Sequence, residues 1–416
     1  MAFRVAFLAV NLHMLRNALP IVYLPLYGLV FFLVLVDTAR DDTPVARRAL
    51  VVFGGWVAVC ALGAIVTFFN VGLTPAVTGF SRLIFALPVL LAFAAYCPSP
   101  ETAVRAVKFM VGFFVIAAAT MPMQLILGPV SWFAAEGERA GFIRFGSLLG
   151  SLTAFGIVAG CYLILSALYN SPSREIVVLA IVAIAFISLS KAALANVAIG
   201  IAALVWINRE RFPSVVIKMT MTGAALVGAL SLSSPLSERL LALGSSFGFD
   251  NQPSVRNYDQ SVTESAWARL TDLPLANFEA LAHFREPLVY VVGGGFGMGD
   301  TALVSADYSS APMAHNQFVE VLTVFGALPT VLIFASGIAL IGALRGASKE
   351  LRGTHRVAHK LVRVSCAAVL LLLLNSFFAN GTLYQPAAAS ILFLAVYVAL
   401  GWRQLVAASG RDAVSV

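Results

Sequence analysis

The chain has 416 residues, of which 60% are hydrophobic and only 11% charged, and its mean hydropathy is +0.91. That balance excludes an ordinary water-soluble globular protein and places the chain in a bilayer. The net charge of +7 sits in the connections between apolar runs, where it reads as a topology signal and gives no reason to expect nucleic acid as a partner.

In chain order, residues 2–15 are apolar but short and interrupted, and predict either a weak span or a helix lying in the interface. No small-residue cleavage site follows them, so they do not read as a removed signal peptide. Runs long enough to cross a bilayer follow at residues 18–36, 50–70, 80–96, 108–127, 146–170, 174–189, 191–207, 214–232, 316–343, 361–378 and 385–402. These predict an all-α polytopic membrane protein with 11–12 transmembrane helices. Three segments result: an N-terminal transmembrane bundle (1–232), one large polar loop (233–314), and C-terminal transmembrane helices with a tail (315–416). No internal repeat and no matched halves are visible.

The basic residues orient the spans. One alternating set of connections holds most of them, including Arg47, Arg48, Arg209, Arg211 and the run from Arg345 to Arg363. The other set is poorer, and half of its members fall in the long loop, where charge has little bearing on orientation. The rich set is therefore expected in the cytoplasm, and the loop 233–314 outside it. Cys60, Cys161 and Cys366 lie in apolar runs and Cys97 at a cytoplasmic end, none with metal-type spacing, so all four read as inert packing residues.

Within the loop, Pro235–Leu243 reads as a short helix, and Thr263–Phe284 as a helical pattern with Pro274 as a kink. Gly293-Gly-Gly-Phe-Gly-Met-Gly299 lacks the GxGxxG spacing of a nucleotide site and reads as a flexible turn. The loop closes on Ala314-His-Asn-Gln-Phe-Val-Glu-Val-Leu-Thr-Val-Phe-Gly326, with His315 and Asn316 at the mouth of an apolar helix. His315 is a candidate base or phosphate partner, or an interfacial residue capping that helix.

Ionisable residues near membrane depth are expensive unless paired or functional. On the exported side these are Arg144, Lys191, Arg269 and His315. Arg144 and Lys191 also suit interfacial anchoring, and Arg269 a solvated helix face. Taken together, two arginines, a lysine and a histidine suit a diphosphate leaving group. Guanidinium binds phosphate bidentately at any pH, and a neutral imidazole accepts a proton from an attacking hydroxyl. Nucleotide donors are not expected on that side, which points to a lipid diphosphate. No metal cage is evident, since Asp300, Asp307 and Glu320 lack DxD spacing.

At these residues the chain resembles the O-antigen ligase and polysaccharide polymerase superfamily of bacterial inner membranes. His315-Asn316, with Gly326 farther along and an apolar helix running on, is similar to the motif that closes that family's periplasmic loop. The Gly293–Gly299 run, including Gly295 and Gly297, resembles the glycine turn before it. Arg269 is similar to the family's loop arginine, Arg144 in Arg-Phe-Gly-Ser-Leu-Leu-Gly150 to its earlier arginine, and Ser188-Leu-Ser-Lys191-Ala to its Ser-Arg-Gly/Ala turn. The chain departs from the pattern at Ser151-Leu152, where Pro-Asn is usual, at Lys191, where arginine is usual, and at Pro329.

The resemblance implies an inverting, metal-independent glycosyltransferase of GT-C-like fold that needs no cofactor. It implies an undecaprenyl-diphosphate-linked glycan donor, a glycan or lipid A-core acceptor, and a site on the periplasmic face of the inner membrane. Catalysis would fall to His315, diphosphate binding to Arg144, Arg269 and Lys191, and support of the site to Asn316, Gly295, Gly297 and Gly326. The rival class is a polytopic transporter or lipid-linked glycan flippase, which usually shows repeated halves and broken helices at midplane. A scaffolding subunit of a synthase is a third.

Overall fold

The computed structural model describes residues 11, 20–128, 130, 135–139, 142–150, 152–170, 172–188, 190–207, 271–282, 288–296, 298, 316–379 and 383–412. Among them the chain is helical apart from one two-stranded hairpin. Six helices are long and apolar enough to cross a membrane: Pro44–Asn70, Leu73–Tyr96, Pro100–Gln124, Ala327–Glu350, Arg356–Asn375 and Pro386–Gln404. Ala154–Leu168 and Ala192–Ile207 are shorter apolar helices. The chain is thus a multi-pass, all-α membrane protein. The expected span 214–232 and the helix 235–243 lie outside the described residues.

The chain divides into two compact units. One comprises Met1–His13, Pro25–Ala103 and Ala266–Val416; the other Met14–Leu24 and Val104–Ser265. Helix α1 (Pro20–Arg40), in the first unit from Pro25 on, is followed by α2 (Pro44–Asn70), whose entry is set by Pro44 and by Thr43. The Thr43 hydroxyl accepts the Ala46 N–H at 3.3 Å, satisfying a first-turn donor.

The expected span 80–96 falls within the crossing Leu73–Tyr96, which consists of two helical segments, α3 (Leu73–Ile84) and α4 (Pro88–Tyr96), with a break around Phe85–Leu87. Proline opens the second of them, where its missing N–H has no partner to lose. Tyr27 donates to the Phe85 carbonyl at this break. Helix α5 (Pro100–Leu127) carries the chain into the second unit.

The second unit holds the hairpin, with β1 (Ala135–Arg139) antiparallel to β2 (Phe142–Phe145). Then come α6 (Leu152–Leu165), α7 (Ser173–Ile187) and α8 (Lys191–Ile207). Helices α6 and α8 pack through small residues. A Cβ on Gly200 would stand 2.7 Å from the Gly160 carbonyl oxygen, and one on Gly156 would stand 3.5 Å from the Ala192 Cβ. Asn196 donates to the Gly156 carbonyl at 2.7 Å. Close backbones bridged by one polar side chain are how helices associate where lipid removes the hydrophobic drive. Because Gly156 meets residues 190–193 and Gly160 meets Gly200, the two helices run in the same direction, and their first turns lie at one end.

The first unit resumes with α9 (Asp272–Ala282), α10 (Leu288–Val292), α11 (Gln317–Phe325), α12 (Ala327–Glu350), α13 (Arg356–Asn375) and α14 (Pro386–Asp412). Pro274 falls in the first turn of the described helix α9, where no intrahelical donor is lost; residues 263–270 of the expected helical pattern lie outside the described residues. Helix α14 forms the core with α4 and α2. Tyr397 donates to the Cys97 carbonyl and stacks on Phe93 at 5.3 Å, while Trp56 meets Phe393 edge-on at 6.4 Å. Cys60, Cys97 and Cys161 are free and buried, and Cys366 is free and half-buried. Burial raises the Cys97 thiol above its ordinary value.

Candidate functional site

The expected span 316–343 is not one helix. Gly326, at φ +79°, ends α11 and begins α12. A Cβ there would stand 2.2 Å from the Val291 carbonyl oxygen, so the break requires glycine both in conformation and in space. Gly293 answers it from the other side. It ends α10 at φ +79°, and its Cβ would stand 2.3 Å from the Val324 carbonyl oxygen. Two helix ends therefore cross backbone to backbone.

Asn316 caps the opposite end of α11. Its side-chain oxygen accepts the N–H of Phe318 at 3.0 Å and of Val319 at 3.3 Å, as an N-cap does. The Gln317 N–H donates to the Ser376 carbonyl at 2.8 Å, fixing this end of α11 to the end of α13. Phe318 stacks on Phe334 at 4.8 Å and leans on Phe377 at 4.4 Å. Glu320 is buried, and the Gln317 side-chain amide donates to its carboxylate at 2.6 Å.

The described part of the glycine run, Gly293–Phe296, is held, where a flexible turn was expected. The N–H groups of Gly294 and Gly295 donate to the carbonyls of Thr323 (2.8 Å) and Val324 (3.1 Å). The Phe296 N–H donates to the Thr67 hydroxyl at 2.7 Å, and that hydroxyl donates to the Gly63 carbonyl at 2.6 Å. Asn70 donates to the Gly294 carbonyl at 3.2 Å. Gly295 sits at φ +90°, and its Cβ would stand 2.6 Å from the Thr67 hydroxyl oxygen. The Phe296 ring is fully buried and fills a socket that exists because α2 and α3 lack side chains there. A Cβ on Gly63 would reach it at 2.9 Å, and one on Gly79 at 2.3 Å. Glycines make this turn tight; the bonds and the ring keep it in place.

Arg144 was expected at the start of an apolar span, but it lies on β2, paired with Gly137. The following residues form a tight turn in which Ser147 and Gly150 exchange backbone hydrogen bonds at 2.9 and 2.8 Å, with Gly150 at φ +102°. Helix α5 holds the turn. Gln124 donates to the Gly146 carbonyl at 2.8 Å and accepts the Val130 N–H at 3.2 Å, while the Thr120 hydroxyl accepts the Leu148 N–H at 3.0 Å.

Lys191 is the first residue of α8, as its turn predicts. Ser190 caps that helix by accepting the Ala193 N–H at 3.3 Å, and Ser188 accepts the Ser190 N–H at 3.2 Å. The turn leading from Arg144 and the turn bearing Lys191 lie at the same end of the α6–α8 pair. A helix N-terminus there offers N–H dipoles to an anion beside that lysine.

Asn316, Gly295 and Gly326 thus gather around α11 in the first unit, while Arg144 and Lys191 share one end of the second. Arg269, Gly297 and His315 lie outside the described residues. Sequence reasoning missed Thr67, Phe296, Gln317, Thr120 and Gln124, and gave Glu320 no structural role. Gln124 and Glu320 carried a signal, as polar residues in otherwise apolar runs.

The first unit also has two chemically distinct ends. Near the start of α2, Arg48 donates to the Leu400 carbonyl at 3.2 Å, and Arg403 of α14 pairs with Glu350 at 3.7 Å. Arg345, Lys349, Arg352 and Arg356 lie on the adjoining ends of α12 and α13 and in their connection. Near the other end of α2, Thr67 and Asn70 hold the glycine turn. Arg48 and Thr67 are separated along the helix by about 28 Å, at ~1.5 Å per residue, close to the ~30 Å of a bilayer core. No protein-family model matches the chain, and no curated protein matches it.

Proposed function

We propose that this protein is a membrane glycosyltransferase of the O-antigen ligase or polysaccharide polymerase type. It moves a glycan from an undecaprenyl-diphosphate-linked donor to a sugar hydroxyl on the periplasmic face of the bacterial inner membrane. The observation that carries the reading is the two-ended first unit. Its basic end is the one that the positive-inside rule assigns to the cytoplasm. The Asn316 cap and the glycine turn belong to the opposite end, where a lipid-borne donor and a water-borne acceptor can meet.

In this reading Arg144 and Arg269 clamp the diphosphate, and Lys191 adds charge beside a helix N-terminus. Inversion needs one displacement at the anomeric carbon. The acceptor oxygen forms the new glycosidic bond as the bond to the diphosphate breaks, and the lipid diphosphate leaves with the bonding pair. His315 takes the hydroxyl proton. The cap on α11 fixes the residue that follows His315, and the turn from Ser147 to Gly150 fixes the strand that carries Arg144.

A second reading keeps one observation of its own. A helix broken at Gly326, with buried Glu320 on its short half, suits a transporter or flippase, where discontinuous helices line the transport path. Purified protein, a lipid-diphosphate glycan and a candidate acceptor separate the two. A product ladder identifies a polymerase, and a single en bloc shift a ligase. Absence of transfer together with glycan movement in liposomes supports the transporter.

A further inference from the structure

Helix α12 leaves one face uncovered over most of its length. Val331, Ala335, Ile338, Gly342, Arg345 and Lys349 recur every three or four residues and so share a stripe, and all of them are exposed or, at Gly342, have nothing within 4 Å of a Cβ position. Val331 is 63% and Ile338 72% exposed. The stripe is apolar through Gly342 and then becomes basic.

The connection to α13 continues the basic end with Arg352 and Arg356, both exposed. Glu350 is the one carboxylate in residues 345–363, and it pairs with Arg403. Among the described residues, Arg345, Lys349, Arg352 and Arg356 take part in no ion pair.

This pattern has the shape and polarity of a single lipid. The apolar stretch from Val331 to Arg345 rises about 21 Å at ~1.5 Å per residue, enough to line one leaflet of a ~30 Å core. Where it ends, a phosphate in the headgroup layer meets a guanidinium suited to bidentate binding and an ammonium one turn farther on. A zwitterionic headgroup brings its own cation to the same place and is disfavoured. We propose that the α12 stripe and the cations from Arg345 to Arg356 form a binding site for an anionic phospholipid, its acyl chain on the stripe and its phosphate on Arg345 and Lys349. The site does not depend on glycan transfer.

The test uses the purified full chain in detergent, offered equal amounts of phosphatidylglycerol and phosphatidylcholine with the same acyl chains. Retained lipid is read by native mass spectrometry. The wild type should retain phosphatidylglycerol preferentially. The double variant R345Q/K349Q should lose that preference by roughly 10–30-fold, each cation near a charged surface being worth roughly fivefold. R345K/K349R keeps both charges and should keep the preference, as should R105Q, which removes an exposed cation elsewhere. Millimolar inorganic phosphate should not displace the lipid, because it lacks the chain. Equal retention of both lipids by the wild type, an unchanged preference in R345Q/K349Q, or displacement by phosphate alone each overturns the proposal. Melting of each variant in the same detergent separates lost binding from lost folding.

Discussion

Thr67 serves two bonds with one hydroxyl, donating to its own helix and accepting the Phe296 N–H from a residue far along the chain. Thr67→Val keeps the shape and leaves that buried N–H without an acceptor, so stability should fall by about 1–3 kcal/mol, read as a lower melting temperature in detergent; an unchanged melt would mean the bond contributes nothing. Phe296→Ala should cost more, about 3–5 kcal/mol, because it empties a fully buried socket. His315 carries the chemical prediction. His315→Ala should lower turnover by roughly 10²–10⁴-fold with donor binding retained, and equal turnover at equal expression would refute its role as base. The sequence pointed to histidine, arginine and lysine because charge at membrane depth stands out in an apolar chain. Thr67 and Phe296 gave no such signal. A threonine and a phenylalanine are ordinary in apolar runs, and only folding brings residues 63, 67, 79 and 296 together.

Among the helices, hydropathy located α2, α5, α7, α8, α13 and α14 well, since uninterrupted apolar runs bounded by proline or charge leave few alternatives. It failed where a run was continuous but its backbone was not. Residues 316–343 are apolar on both sides of Gly326, and hydropathy does not register a positive φ. Residues 146–150 were counted into a span, yet Ser147 and Gly150 close a turn on each other before α6 begins. Gly326→Ala tests the break directly. Strain at φ +79° and overlap with the Val291 carbonyl should destabilise the fold strongly. Gly342→Ala, with nothing within 4 Å of the added methyl, should be neutral or slightly stabilising. Comparable melts for the two variants would show that the crossing of α10 and α11 is dispensable.

For the whole molecule, the prediction concerns sidedness. Single cysteines at positions 352 and 256 should react with a membrane-impermeant maleimide from opposite faces, position 256 from outside. The native background should be low, because Cys60, Cys97 and Cys161 are buried, and replacing half-buried Cys366 by serine removes what remains. Outside labelling at 352 but not at 256 would reverse the orientation and the proposed mechanism with it. Arg144→Lys and Arg269→Lys test the proposed diphosphate clamp. Each should impair turnover sharply if the fork of the guanidinium grips a diphosphate, and near-normal activity in both would make them anchors.

Gly294, Gly295 and Asn316, on either side of residues 299–315 in the sequence, are all fastened to one short rod, α11. Before that stretch, Gly294 and Gly295 are bonded to the last turn of α11; after it, Asn316 caps its first turn. Those anchor points are set by a helix of 9 residues, about 13 Å long at ~1.5 Å per residue, and the intervening sequence has no say in that distance. Closing a chain between fixed posts grows costly only slowly with length, by about 0.6 kcal/mol per doubling. The length of residues 300–314 is therefore open to change in a way that the anchors, and His315 beside the Asn316 cap, are not. On the proposed function, a change of glycan could be met by altering residues 300–314 while the rod and both of its fastenings stay unchanged.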